Sequence, residues 1–292
     1  MYEEAALVKL EFSISLNYSI TDPNCAFIFN IEAARTPCQR ILRENLSISP
    51  TVQTHSYTDA ASGSRYVRFD AGAGPLNVRY EAAVAIEHQR SAPEALLQMP
   101  IAQLPEAVLC YLWPSRYCQS DRLFRFAVAE FGNLPGGYAR VEAIQQWVRR
   151  HIAFTPQASS SSTSALDTLV DRVGVCRDFA HLMIAFCRAL NMPARFTSGI
   201  DYGADPALGP VDFHAYVEVY LSGRWYIFDP SGLAMPMGFV RIGTGRDAAD
   251  AAFATIFGAV QSAQPQLSIA ALPDADSVLP FHSREALSTA IS

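Results

Sequence analysis

The sequence predicts an α+β protein in which an N-terminal β-sandwich precedes a part built from helices and an antiparallel sheet. Residues 7–88 show the apolar–polar alternation of half-buried strands, interrupted by turn-forming residues. From Asp121 onward apolar residues recur at helical spacing, and a strand–turn–strand pattern follows at 211–231. The chain has 292 residues, 50% hydrophobic and 17% charged, so it is long enough for two domains and too apolar for a disordered protein.

The first part of the chain is expected to be an all-β domain over residues 1–90. Its strand-like segments are LVKLEFSISLNYSI, AFIFNIEAA and NVRYEAAVAIEH, and the residues between them are rich in Pro, Gly, Ser, Asn and Asp. Residues 91–120 contain four prolines, which prevent long regular elements. This stretch is therefore interpreted as an ordered linker.

The second part is expected to form one core over residues 121–272. Helices are predicted from LFRFAVAEF and from YARVEAIQQWVRRHIAF, whose apolar residues fall on one stripe. Trp147 borders this stripe and is assigned to the hydrophobic core. Residues 273–292 are interpreted as a loosely attached C-terminal tail.

Charge and cysteine content limit the possible partners and the compartment. A formal net charge of −6 without a Lys/Arg cluster argues against binding to nucleic acid or to an anionic membrane surface. No apolar run approaches the ~20 residues that cross a bilayer. The first residues, MYEEAALVKLEF, carry acids where a signal peptide carries bases, so a cytoplasmic location is expected. The six cysteines include no CxxC pair, so neither a disulfide framework nor a metal site is expected.

A cysteine at the start of a predicted helix is the first candidate for chemistry. The segment DRVGVCRDFAHLMIAFCRALNMP predicts an amphipathic helix with Gly174 just before it and Cys176 in its first turn. Unpaired backbone N–H groups and the positive end of the helix dipole favour a thiolate there, and the thiolate is the nucleophile. Cys187 lies about three turns further along, on the apolar side. The alternative is that Cys176 is only a small residue packed at a helix start.

A predicted hairpin over 211–231 supplies the other two candidates. With a two-residue turn at Ser222-Gly223, the register places His214 and Asp229 on one face as diagonal neighbours, ~7–8 Å apart at the backbone. A one-residue change in the loop would put them on opposite faces. A structural histidine and a turn-forming aspartate are the alternative. Together, the order Cys…His…Asp is that of a nucleophile, a base and a group that orients the base.

Three segments resemble the core of the bacterial transglutaminase-like superfamily, which belongs to the papain-like cysteine enzymes. They are GVCRDFAHLMIAFCRALNMPAR, FHAYVEVYLSGRWYIFDPS and FVRIGTGRDAADAAF, and the resemblance is strong from Tyr111 to Phe253. It implies a papain-like transglutaminase core, with residues 121–272 as the catalytic part, behind the N-terminal β domain. It also matches the family's nucleophile, base and carboxylate to Cys176, His214 and Asp229.

The resemblance implies roles for two further residues. The family usually has Trp two residues after the histidine, whereas this sequence has Tyr216, a change expected to reshape the acyl pocket. Asp178 is expected to help order the site, with ordinary helix contacts as the alternative. No calcium-binding pattern such as DxDxDG occurs, so no metal and no cofactor are expected.

The reaction implied by these residues is thiol-dependent acyl transfer from an amide through a thioester. Water as the acceptor gives a cysteine protease or amidase, and an amine gives a transglutaminase-like acyltransferase. A protein or peptide is the expected substrate. One alternative is a non-catalytic member that binds a peptide or protein in its groove. Another is an acyl-CoA-dependent acyltransferase such as the arylamine N-acetyltransferases, whose flanking sequence is not found here.

Overall fold

The structure is a computed structural model that describes residues 6–203 and 211–291, and it has the α+β fold that the sequence predicts. The first part of the chain is made of strands, as expected from its alternation. They are β1 (Ala6–Ile20), β2 (Cys25–Phe29), β3 (Gln39–Ser49), β4 (His55–Thr58), β5 (Arg65–Ala71) and β6 (Gly74–Ser91).

These strands belong to two antiparallel sheets that share one apolar core. β1 pairs with β6 along its whole length, and β3 pairs with the other edge of β6. β2, β5 and β4 form the second sheet. Alternate residues of β1, such as Leu10 and Ile14, point inward against a cluster of aromatic rings from the second sheet. Within that cluster Phe27 stacks on Phe69 with ring centroids 5.4 Å apart. This packing is the sandwich that the alternation predicts.

The helices lie in the middle of the chain, where the apolar spacing places them. They are α1 (Glu106–Leu109), α2 (Ser120–Phe131), α3 (Tyr138–His151), α4 (Ala165–Asp171) and α5 (Cys176–Ala189). α5 is the central helix, since twelve of its fourteen residues are buried. Trp147 of α3 is 8% exposed and packs edge-on against Phe186 of α5, so it is a core residue, as predicted.

A five-stranded antiparallel sheet carries His214 and Tyr216, and one of its strands ends just before Asp229. Its order is β12-β9-β10-β11-β17, and a short parallel pair, β7-β8, lies beside the helices. The bounds are β7 (Ala153–Phe154), β8 (Val173–Gly174), β9 (Ala194–Asp201), β10 (His214–Leu221), β11 (Arg224–Phe228), β12 (Phe239–Gly245) and β17 (Ala290–Ile291). One face of β10, with Val217 and Val219, packs on the helices, and the other, with Tyr216, packs toward the N-terminal sandwich.

The C-terminal strands require a correction to the predicted boundaries. β13 (Ala254–Phe257) pairs with β2, whereas β14 (Val260–Ser262) and β15 (Gln266–Ala271) pair with β1. β16 (Ala286–Ser288) pairs with β6 and is buried. The sequence predicts one core over 121–272 and a loose tail over 273–292, whereas these strands pair with the N-terminal sheets. They complete sheet edges through backbone hydrogen bonds, which leave only a weak pattern in the sequence.

Among the described residues, no helix is long and apolar enough to cross a membrane.

Candidate active site

Cys176 occupies the first position of α5, as predicted. The β8 strand ends at Gly174, and a Cβ at that position would lie 2.7 Å from the Cβ of Asp178, so only glycine fits without a shift of Asp178. Cys176 is partly exposed, and its Sγ lies 3.9 Å from the carbonyl oxygen of Phe213. Its backbone N–H belongs to the first turn, where the helix provides no acceptor. The thiol and this N–H are thus presented together at the end of the helix.

Two cysteines of α5 have different surroundings. Cys187 is fully buried among apolar side chains, and burial raises the pKa of its thiol far above the usual range. Cys176, at the exposed end of the helix, lies close enough to His214 to help raise the pKa of that imidazole. The helix therefore holds one thiol enclosed in the core and one at its partly exposed end, next to a histidine.

The hairpin register is the predicted one. Leu221 pairs with Arg224 and Val217 with Phe228, across a turn in which Ser222 and Gly223 have φ of 47° and 83°. Both residues therefore adopt the left-handed conformation of a tight two-residue turn. The register puts His214 and Asp229 on one face, as expected.

His214 and Asp229 are in contact. The Nε2 atom of His214 lies 3.3 Å from Oδ1 of Asp229. Burial by itself would lower the pKa of His214, but the charge and hydrogen bond of Asp229, together with Cys176, raise that pKa well above its ordinary value. Because Nε2 faces Asp229, Nδ1 is the nitrogen left to exchange a proton with the thiol.

Asp229 is held by several donors. Its Oδ1 accepts the backbone N–H of Ser231 at 3.0 Å and the Ser231 hydroxyl at 2.6 Å, and its Oδ2 accepts the N–H of Ala234 at 3.0 Å. Gln145 of α3 donates to the backbone carbonyl of Asp229 at 3.0 Å. Burial would raise the pKa of Asp229, but His214, Ser231 and Ala234 lower it below its ordinary value, so the carboxylate stays charged.

The ring of Tyr216 packs against the imidazole of His214. It meets that imidazole edge-on at 4.7 Å and packs against Phe239 at 4.2 Å. The side chain is completely buried, and its hydroxyl has no hydrogen-bond partner among the described residues. Tyr216 can therefore fix the position of the imidazole, whereas a substrate arriving from solvent would not reach its ring.

Asp178 caps the start of α5. Its Oδ2 accepts the N–H of Val175 at 2.8 Å, and its Oδ1 accepts the hydroxyl of Ser159 at 2.9 Å. Arg177 also donates to Ser159, at 2.5 Å. The segment around Ser159 is thus tied to the helix end that carries Cys176. Asp178 acts on the backbone around the thiol, which is an ordering contact.

Two residues of the site were missed in the sequence. Ser231 had a signal, because an aspartate commonly accepts the N–H two residues further on. Asp201, at the end of β9, had none: its Oδ1 lies 3.9 Å from Nδ1 of His214. A twelve-residue connection separates β9 from β10, and no turn motif fixes the register across so long a loop. Among the residues that the structure describes, no group of three or more His, Cys, Asp or Glu side chains could hold a metal ion.

Comparison with known proteins agrees with the fold and with the family of the resemblance. The transglutaminase-like superfamily matches residues 127–230, and the N-terminal domain of bacterial transglutaminases matches residues 8–107. A solved structure, named "Putative Cysteine Protease from Cytophaga hutchinsonii", is 37% identical, with 99% of each chain covered and a TM-score of 0.91.

Shorter matches extend to mycobacteria. An uncharacterized protein of Mycobacterium leprae is 31% identical over 117 residues, which are 38% of this chain and 42% of that protein. One from Mycobacterium tuberculosis is 33% identical over 124 residues, 38% of this chain and 40% of the relative. The match spans less than half the length of these curated relatives. With the bacterial transglutaminase N-terminal domain over residues 8–107 and the transglutaminase-like core over residues 127–230, the chain belongs to the transglutaminase-like superfamily.

Proposed function

We propose that this protein is a cysteine enzyme that transfers an acyl group from an amide, with Cys176 as nucleophile, His214 as base and Asp229 as the orienting carboxylate. One observation carries the proposal. The imidazole of His214 lies between the thiol and a buried carboxylate 3.3 Å away, and both neighbours favour its protonated form. A thiolate and an imidazolium are then the resting pair.

In the proposed first step, the Sγ of Cys176 attacks the amide carbonyl carbon. Its proton is already on His214, or passes to that imidazole as the bond forms. The C–N bond then breaks, and His214 returns the proton to the departing amine, leaving a thioester on Cys176. Asp229 keeps Nε2 as the donor side of the ring and stabilises the imidazolium throughout.

The carbonyl oxygen becomes negatively charged when the thiolate attacks, and hydrogen-bond donors must stabilise that charge. The backbone N–H of Cys176, at the first position of α5, is one candidate because it has no acceptor within the helix. The helix dipole adds to the same effect. In the last step water, activated by His214, hydrolyses the thioester to an acid, or an amine takes the acyl group.

Hydrolysis is the proposed outcome, and a protein or peptide the proposed substrate. The name of the Cytophaga hutchinsonii relative supports a cysteine protease, at 37% identity over the whole chain. Transamidation uses the same three residues and differs only in the acceptor that reaches the thioester. A cytoplasmic location is part of the proposal. It is supported by the six cysteines, all of which are free thiols, as is usual in a reducing compartment.

The test is alkylation by iodoacetamide, mapped by mass spectrometry over a range of pH. Cys176 should react rapidly at about pH 6, well below the usual range for a thiol. His214→Ala should abolish that reactivity, and Asp229→Ala should weaken it. Cys110 is the internal control, because it is also partly exposed while burial raises the pKa of its thiol.

Turnover is then measured on a peptide library with and without a primary amine. Release of acids that depends on Cys176 supports a protease or amidase, and amine incorporation supports transamidation. Peptide binding that survives in Cys176→Ala, without turnover in the native protein, supports the non-catalytic binding member. A Cys176 that reacts no faster than Cys110 and is indifferent to His214 contradicts the proposal.

A further inference from the structure

Two carboxylates lie beside the same imidazole. Asp229 faces Nε2 of His214 at 3.3 Å, and Asp201 faces Nδ1 at 3.9 Å. The side chain of Asp201 is 5% exposed and that of His214 is 10% exposed. An orienting carboxylate on one nitrogen is all that the proposed mechanism requires. Asp201 lies on the Nδ1 side of the ring, which is the side assigned to proton exchange with the thiol.

The position of Asp201 is fixed by the sheet. His214 pairs with Gly199 across β9 and β10, and Asp201 is two residues further along β9, so it emerges on the same face as His214. On its other side β12 places Phe239, which pairs with Asp201 through the backbone. Gly199 itself has no room for a side chain, since a Cβ there would lie 2.0 Å from the carbonyl oxygen of Val240.

Asp201 differs from Asp229 in what stabilises its charge. Asp229 has two backbone donors and a hydroxyl, and its pKa is lowered. Burial raises the pKa of Asp201 to about 6, His214 opposes the shift, and repulsion from Asp229 adds to it. Near neutrality the carboxylate of Asp229 is therefore fully charged, whereas that of Asp201 titrates.

We propose that Asp201 is a positioning residue that holds the proton on His214 toward higher pH and so widens the range over which the thiolate–imidazolium pair persists. This inference rests on the proposed function. At acid pH Asp201 is neutral and leaves formation of the thiolate unopposed. Once ionised, it places a second negative charge 3.9 Å from Nδ1, which favours the imidazolium.

Other titratable groups face the same imidazole and must be separated from Asp201. They are Cys176 from α5, Asp212 from the segment before β10, Tyr216 from β10 and Asp229 after β11. Tyr216 is neutral over the working range, because burial raises the pKa of its hydroxyl well above the ordinary value. Asp212 is exposed at the surface, so solvent screens its charge more strongly than that of buried Asp201, and it serves as the matched control for a carboxylate near the ring.

The experiment compares alkylation of Cys176 by anionic iodoacetate and neutral iodoacetamide as a function of pH. An imidazolium next to the thiolate favours the anionic reagent, so the ratio of the two rates falls as His214 loses its proton. In Asp201→Asn the midpoint of this fall should move down by about one pH unit. Asp201→Glu should restore the native midpoint, and Asp212→Asn should shift the midpoint much less than Asp201→Asn does. The acid-side rise of iodoacetamide reactivity should be the same in all four proteins.

The possible outcomes separate this inference from the proposed function. If Cys176 has no selective reactivity in the native protein, both are overturned. If the native pair exists and Asp201→Asn keeps the native midpoint, only the role of Asp201 is overturned. Should Asp201→Asn fail to fold, the ring signals of His214 in the native protein and in Asp212→Asn are followed by NMR against pH. A step near pH 6 in both supports the inference, and its absence in both overturns it.

Discussion

Strand β10 carries two buried ionic clusters on one face, one around His214 and the other around Glu218. Glu218 is completely buried and lies between Arg195, at 2.7 Å, and Arg241, at 2.9 Å. Thr197 donates a further hydrogen bond at 3.3 Å. His214 instead lies between two carboxylates and next to a thiol.

The difference between these clusters shows what a shifted pKa means. Burial would raise the pKa of Glu218, yet the two arginines lower it to about 2, and no reactive group lies among its partners. The shift of His214 is accompanied by a neighbouring thiol and by partial contact with solvent. A perturbed pKa marks burial and pairing, and the chemistry of the partners decides whether the group reacts or only holds the sheet together.

The largest expected effect is on the reactive cluster. Asp229→Asn should lower turnover by about 10³-fold or more, because a neutral amide stabilises the imidazolium less and allows the wrong tautomer. Steady-state kinetics on the best substrate of the peptide library measures it. Unfolding by urea should show a much smaller fractional change than turnover does. A variant with native turnover would mean that the two clusters do not differ in function.

The structural cluster should respond in the opposite way. Glu218→Gln should cost about 3–5 kcal/mol of unfolding free energy at pH 7, because Arg241 and Arg195 keep their charges without a counter-ion. Turnover per folded molecule should stay native. Glu81→Gln is the matched control, because Glu81 pairs with Arg79 on the surface and its loss should leave stability unchanged.

At acid pH the native protein and Glu218→Gln should become equally stable. The folded-state pKa of Glu218 is below its unfolded value, so its contribution is complete above about pH 4.5 and is lost as the pH falls toward about 2. Urea unfolding at a series of pH values should show the native protein and Glu218→Gln converging over this window. A constant gap down to pH 2 would mean that the carboxylate charge is not what stabilises the cluster.

The smallest effect is expected at Tyr216, which lies on β10 between His214 and Glu218. Its buried hydroxyl has no partner among the described residues, so Tyr216→Phe removes an unsatisfied group and keeps the ring against His214. Stability should stay the same or rise by up to about 1 kcal/mol, with turnover within about twofold. Thermal unfolding and kinetics test this together. A large loss of activity would assign the hydroxyl to the reaction.

Whether a feature could be predicted from the sequence depends on how close together in the chain its residues lie. The Ser222-Gly223 turn fixes the pairing of β10 with β11, so the contact of His214 with Asp229 could be predicted from a few neighbouring residues. The start of α5 at Cys176 follows in the same way from its apolar spacing. Asp201 could not be found, because its neighbourhood depends on a register across a long connection.

The C-terminal strands escaped prediction for a related reason. Each has between two and six residues, and their partners, β1, β2, β6 and β11, all come much earlier in the chain. Such a pairing is decided by which edge is free in the folded protein. No short-range pattern encodes that edge.

The pairing of β15 with β1 has a consequence for the order in which the chain matures. Leu10 faces Ala271 across the sheet, so the sandwich that contains β1 is not complete until residues 266–271 have left the ribosome. The segment with Cys176 and His214 emerges earlier than the strands that finish the first domain. Until then one side of the fifteen-residue strand β1 is an open edge, which is a template for association with other chains. Truncation before residue 266 would make that transient exposure permanent.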